Sequence, residues 1–150
     1  MIVREATWDD PAGMSLRKAQ RDELTIRYED PNSEPGPAPT AEDITVFLIA
    51  VDDNGLPVAC GGLRRIDEEH GEIKRMYVNP DSRGTGAAVT VLRQLEQRAR
   101  ELGWSRLVLE TGDRQPDAIR FYEREGYTRI PNYGHYVHSA LSLCYERILR

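Results

Sequence analysis

Cysteine is nearly absent: Cys60 and Cys144 stand alone, with no C-x-x-C spacing. That leaves no disulfide scaffold and suits free, buried thiols in a reducing cytoplasm. Lysine is as scarce, since Lys18 and Lys74 are the only two among 20 basic residues. A nucleoside-triphosphate loop, G-x-x-x-x-G-K-[ST], needs a lysine on the terminal phosphates, and neither is placed for it. Long apolar runs are missing, so neither a signal peptide nor a membrane-spanning helix is expected. No basic stripe is present either. The net charge is −5 with 30% charged residues of both signs interspersed. That balance argues against nucleic acid and mildly favours cationic or amine partners. The excess of arginine over lysine hints at a GC-rich bacterial genome.

What is present is enough for one domain over residues 1–150, because 150 residues at 39% hydrophobic bury a proper core but not two. Residues 2–7 read as a strand. From Asp9 the pattern turns helical, with Asp9 as cap, Pro11 in the first turn, and Met14, Leu16, Leu24 and Ile26 as apolar positions. Residues 32–40 (NSEPGPAPT) form a proline-rich loop. Strands follow at 46–51, 57–66 and 71–78, joined by the turns Asp53-Asn54-Gly55 and 67–70, which makes an antiparallel meander. A helix over 86–102 places Ala88, Val91, Leu92, Leu95, Ala99 and Leu102 on one stripe, and Gly103 ends it. The strand 106–110, reached through that crossover helix, runs parallel to the strand 71–78. A second helix runs from Pro116 to the stop at Gly126, and strands at 127–130 and 141–149 close the chain.

The most informative stretch is EIKRMYVNPDSRGTGAA, residues 72–88. A strand enters a proline-marked turn, and a glycine-rich loop opens into the long helix. Glycines let backbone approach a ligand, and the unpaired N–H groups of a first helical turn attract phosphate. A dinucleotide fingerprint G-x-G-x-x-G starting at Gly84, with Glu110 as the ribose acid, fails at Val89, where the third glycine belongs. The spacing R-x-x-G-x-A in Arg83-Gly84-Thr85-Gly86-Ala87-Ala88 instead resembles motif A of the GNAT superfamily, the acetyl-CoA-dependent N-acetyltransferases. Residues 115–127, QPDAIRFYEREGY, resemble that superfamily's motif B, with Gln115 in place of the usual Asn. The two motifs stand in the family's order, joined by one helix and one strand.

The resemblance implies a GNAT fold in the α/β (α+β) class: a mixed sheet with an N-terminal antiparallel meander, a splayed central parallel strand pair and flanking helices. It implies acetyl-CoA as co-substrate, no metal, and transfer of an acetyl group to a primary amine, here of a small molecule, by direct attack in a ternary complex. An acyl-CoA sensor without turnover and a protein or peptide acetyltransferase are the contrasting readings. Arg83, Gly84, Thr85, Gly86, Ala87 and Ala88 would hold the diphosphate, with Gln115 on the motif B side. Met76, Tyr77 and Val78 would pair with the pantetheine arm through backbone groups, and an N–H there would polarise the thioester carbonyl. Tyr122, one turn after Ala118, would protonate the departing thiolate. Glu72 matches the general-base glutamate some members use directly or through water. The plainer account of Glu72 is an exposed strand carboxylate beside Lys74 or Arg75, and strand parity does not decide, because a bulge usual in this strand reverses it. Tyr133, Tyr136 and Asn132 form an aromatic-polar loop suited to an acceptor pocket. Arg64, Arg65 and Arg75 form a cluster able to grip a substrate carboxylate. His135-x-x-His138 lacks cysteine or aspartate partners for a metal. The chain is expected in the cytoplasm as a monomer or homodimer, without nucleic acid or membrane partners.

Overall fold

Apolar and β-branched runs in the first half become four strands, β1 (Ile2–Glu5), β2 (Ile44–Val51), β3 (Pro57–Arg65) and β4 (His70–Val78), each antiparallel to the next. The computed structural model describes all residues from Met1 to Arg150. Helix α1 (Pro11–Tyr28) lies between β1 and β2 in sequence, then α2 (Ala87–Glu101), β5 (Arg106–Gly112), α3 (Pro116–Arg124), β6 (Thr128–Ile130) and β7 (Ser142–Ile148) follow. The sheet order is β1-β2-β3-β4-β5-β7-β6, and β4 with β5 is its one parallel pair.

One sheet face carries α2 and α3. Val91, Leu92, Leu95 and Ala99 are fully buried there with Leu63, Ile73, Leu107 and Leu109. The other face carries α1, whose Leu16 joins Phe47, Ile49, Cys60 and Tyr77. The stripe read for α2 holds at Val91, Leu92, Leu95 and Ala99, with Leu102 half-buried against it. Its first covered residue is Ala87 and not Ala88, which faces a cleft, and Gly103 sits at φ +83 just beyond the end. The stripe read for α1 holds at Leu16, with Leu24 half-buried, and fails at the other two positions. Met14 and Ile26 are 52% and 79% exposed, while Gly13 and Arg17 are buried against Phe47 and Trp8. The cap is Asp10 rather than Asp9: its Oδ1 accepts from the Ala12 N–H at 3.0 Å, and its carboxylate also pairs with Arg4.

Two features of β4 set up the site. Its pairing with β5 lasts only for His70, Gly71 and Glu72, opposite Arg106, Leu107 and Val108, after which the strands diverge. Further along, Arg75 and Met76 stand opposite the single residue Gly61, a bulge in which Arg75 takes φ +58.

Candidate active site

The glycine-rich turn is built to leave donors free. Gly84 and Gly86 sit at φ +81 and +89, a region L side chains avoid, and a Cβ on either would point into open space. No protein acceptor takes the N–H groups of Gly84, Gly86, Ala87, Ala88 or Val89. Five unpaired donors therefore surround the positive end of a 15-residue helix. Thr85 closes the turn, its hydroxyl donating to the Ser82 carbonyl at 2.5 Å, and Ala87 is buried in the core. Arg83 stands at the mouth but is not free: its guanidinium pairs with Glu23 of α1 at 2.9 Å and lies 3.8 Å from Asp117 of α3, while its Nε donates to the Val78 carbonyl.

From this cradle a cleft of about 370 Å³ runs along Val78, Tyr77 and Met76 toward Tyr122 of α3. A smaller cavity of about 100 Å³ continues into the fork between β4 and β5, reaching Lys74, Arg75, Glu110 and Ser142. The two share Gln20, Leu24, Met76, Gln115, Ala118 and Tyr122, so these residues form the junction. At that junction Gln20 donates to the Met76 carbonyl at 2.9 Å, and its own buried Oε1 has no partner. Nothing in the sequence pattern singled out Gln20, because α1 reaches β4 only in the folded chain.

Tyr122 is only 7% exposed, its ring packed edge-on against Phe121 and Tyr127, and its hydroxyl has no protein partner. Burial pushes the phenol up, so it stays protonated at neutral pH and is able to give a proton.

Glu72 is placed differently from the sequence expectation. It is fully buried and lines neither cavity. Its carboxylate takes Arg64 at 2.5 Å, the Tyr133 hydroxyl at 2.6 Å and the Tyr136 hydroxyl at 3.4 Å. Tyr133 and Tyr136 therefore stand behind the cleft wall and not on it, and burial followed by the nearby Glu72 charge pushes both phenols up. Arg64 is committed to Glu72, and Arg65 is exposed over the Trp104 ring. Of the arginine cluster, Arg75 alone lines the cavity, and Lys74 joins it there.

The carboxylates that do face the cavity are Glu110 and Glu34. Glu110 accepts from the Ser142 hydroxyl at 2.7 Å. Burial, reinforced by Glu34 and Glu72, holds it above the ordinary carboxylate range against the pull of Ser142 and Lys74. Its position at the end of an apolar strand was the one signal that the sequence offered. Glu34 comes from the proline-rich loop, and its two oxygens take Lys74 at 3.1 Å and Arg75. Burial pushes Glu34 up, but the two cations outweigh it and hold the carboxyl below its usual range. Both cysteines are buried, and burial pushes the Cys60 thiol up to about 12.

Residues 11–127 match the family described as acetyltransferase (GNAT). An IAA acetyltransferase from Azospirillum brasilense is 39% identical over 105 residues, which are 69% of this chain and 67% of that protein. An amino-acid acetyltransferase from Azotobacter vinelandii is 32% identical over 86% of this chain, which spans only 29% of that longer protein. A Klebsiella pneumoniae structure described as an acyl-CoA N-acyltransferase superposes with a TM-score of 0.84 at 27% identity, covering 99% of this chain and 97% of its own. A Sinorhizobium meliloti phosphinothricin acetyltransferase in complex with AcCoA shares the fold, with a TM-score of 0.69 at 17% identity over 99% of this chain and 88% of its own.

Proposed function

The chain belongs to the acetyltransferase (GNAT) family, and from that premise we propose that it moves an acetyl group from acetyl-CoA to a primary amine of a small molecule, by direct attack within a ternary complex. The observation that carries this is the row of five unpaired N–H groups at the cradle, opening straight onto a strand edge freed by the β4–β5 fork. Diphosphate oxygens are the acceptors that such a row fits. An extended arm carrying amides fits the edge beside Met76, Tyr77 and Val78, where it would take over the Met76 carbonyl from Gln20 and the Val78 carbonyl from Arg83. The neighbour from Sinorhizobium meliloti, with its bound acetyl-CoA, supports the same choice.

Acetyl-CoA supplies an activated acyl group as a thioester. This chain's residues do the rest. Gly84 and the turn from Gly86 to Val89 hold the diphosphate, with Arg83 released from Glu23 to join them. An N–H on the open edge of β4 polarises the carbonyl. Glu110, in the smaller cavity, takes the proton that the acceptor ammonium must lose before its nitrogen attacks. Glu72, expected as that base, instead serves as the anion that fixes Arg64, Tyr133 and Tyr136 behind that wall. As the C–N bond forms and the C–S bond breaks, Tyr122 gives its proton to the departing thiolate and is re-protonated by the second proton that the acylated nitrogen sheds to become an amide. Neither thiol is a convincing acyl carrier, since both are buried and held protonated.

The test is calorimetry with acetyl-CoA, followed by a thiol-release screen over amino acids, polyamines, aminoglycosides and peptides. Binding of acetyl-CoA with amine-dependent thiol release is the expected result. Absence of binding removes the reading altogether, and binding without release for any amine turns it into the sensor.

A further inference from the structure

Adjacent residues on a strand point to opposite faces, yet Lys74 and Arg75 both grasp the two oxygens of one carboxylate, that of Glu34. The bulge makes this possible: with Arg75 at φ +58, its side chain turns back to the side that Lys74 already occupies. A left-handed arginine is a conformational cost, and the convergence of two cations is what it achieves. Both cations are almost covered, at 8% and 12% side-chain exposure, and both line the small cavity next to Glu110. The carboxylate they hold arrives from outside the sheet. Residues 31–39 make no backbone–backbone hydrogen bond, so the Glu34 carboxylate is the main polar latch of that loop.

Resting on the acyl-transfer reading above, we propose that the acceptor carries a carboxylate beside its amine, and that this carboxylate displaces Glu34 from Lys74 and Arg75. The acceptor class is therefore a small amino acid or amino-acid-like zwitterion. The charges favour it. A zwitterion replaces one anion by another on the cation pair and sets its ammonium against Glu110, whereas a simple amine or polyamine brings only positive charge beside Lys74 and Arg75. A cavity of about 100 Å³ suits a compact molecule. A mere loop staple would not need to lie in the cavity wall beside Glu110. Displacement of Glu34 also frees residues 31–39, so the loop acts as a rim that the correct acceptor opens.

The experiment first checks acetyl-CoA binding to the parent, then uses the full chain carrying Glu34→Ala, with Glu34→Gln as the size-conserving companion. Parent and variants are all saturated in a calorimeter with CoA, which has no acetyl group to transfer. The standard amino acids and their carboxamides are then titrated into parent and variants. The expected result is binding of one or more free acids, weaker by about tenfold or more for the matching amide, the worth of one charge-assisted hydrogen bond. Both variants should bind the acid more tightly than the parent, because the internal competitor is gone. Equal affinity for acid and amide, no tightening in either variant, or no binding of any free acid would each overturn the assignment. Loss of acetyl-CoA binding in the parent, measured in the first step, would instead count against acyl transfer itself.

Discussion

A phenol with no partner, buried where two cavities meet, has little structural reason to keep its hydroxyl. Tyr122→Phe preserves the ring contacts with Phe121 and Tyr127, so stability should hold. If the phenol protonates the leaving thiolate, kcat should fall by about a hundredfold or more while acetyl-CoA affinity stays within twofold, roughly. Steady-state rates beside calorimetry check this, and a kcat within about threefold of the parent's would reduce Tyr122 to packing. The two glutamates separate in the opposite sense. Glu72→Gln breaks a buried pair with Arg64 and should cost about 3 kcal/mol in denaturant unfolding, the low end for such pairs since Arg64 keeps some solvent. The acidic limb of its pH–rate profile should persist and move only slightly, to lower pH, because the Glu72 charge adds to the burial that holds Glu110 high. Glu110→Gln should abolish that limb and lower kcat/KM by about a hundredfold or more. In the parent, the limb should lie above the usual glutamate value, because the base must be ionised and burial holds its pKa high. The linkage sign follows: a carboxyl raised on folding stabilises at low pH and loses that contribution as pH rises through its folded value. Glu110→Gln should thus unfold no earlier than the parent at neutral pH, although it is nearly inactive. Tyr122 and the cradle were legible because motif spacing locates them. Glu34 and Gln20 were not, since their partners lie 40 and 56 residues away and only the fold brings them together.

At the scale of elements, legibility followed how local each cause is. The α2 stripe from Val91 to Ala99 comes from sequence periodicity and its stop from Gly103, and both hold. The α1 stripe misled, because that helix packs through Gly13 on Phe47 and through Arg17 stacked 3.6 Å above Trp8, neither of which an apolar count detects. The end of α1 matters for the site. Tyr28 accepts from the Arg114 N–H at 3.0 Å, and Arg27 pairs with Asp117 at 2.8 Å, so the helix is fastened across the end of the fork. Gly112 is what makes room, since a Cβ there would lie 1.7 Å from the Tyr28 hydroxyl. Gly112→Ala should therefore expel Tyr28 at a cost of about 1–3 kcal/mol, the usual range for overpacking. Acceptor KM should rise, because Tyr28 and Gly112 line the small cavity, while acetyl-CoA affinity should change little, because neither lines the larger cleft. Unfolding curves and the two binding constants test the claim, and a parallel loss of both affinities would show α1 to be a general support instead.

The whole molecule is two sheet halves joined through a short seam. Strands β1 to β4 form one half and β5, β7 and β6 the other, with only His70, Gly71 and Glu72 paired across β4 and β5. Beyond Glu72, α1 spans the gap on one face, while α2 and α3 pack over the opposite face. A ligand lying in the fork and anchored at the cradle would bridge halves that the protein itself leaves apart. Binding only to the folded state at a hundred times Kd stabilises by about 2.7 kcal/mol. For a domain of this size each kcal/mol raises Tm by about 2–4 °C, so acetyl-CoA should raise it by about 5–11 °C. Gly86→Val makes the control. The side chain meets open space, but the φ of +89 disfavours valine, so the variant's own Tm should drop somewhat. Its decisive property is the increment. With the cradle's geometry altered, added acetyl-CoA should shift the variant by less than about 2 °C, well under the parent's rise. Hydrogen exchange should show where the energy goes, with new protection in β4 beyond Glu72 and in β5 beyond Val108 for the parent alone. An equal thermal increment in both proteins would mean that acetyl-CoA is not held by the free N–H groups of the turn.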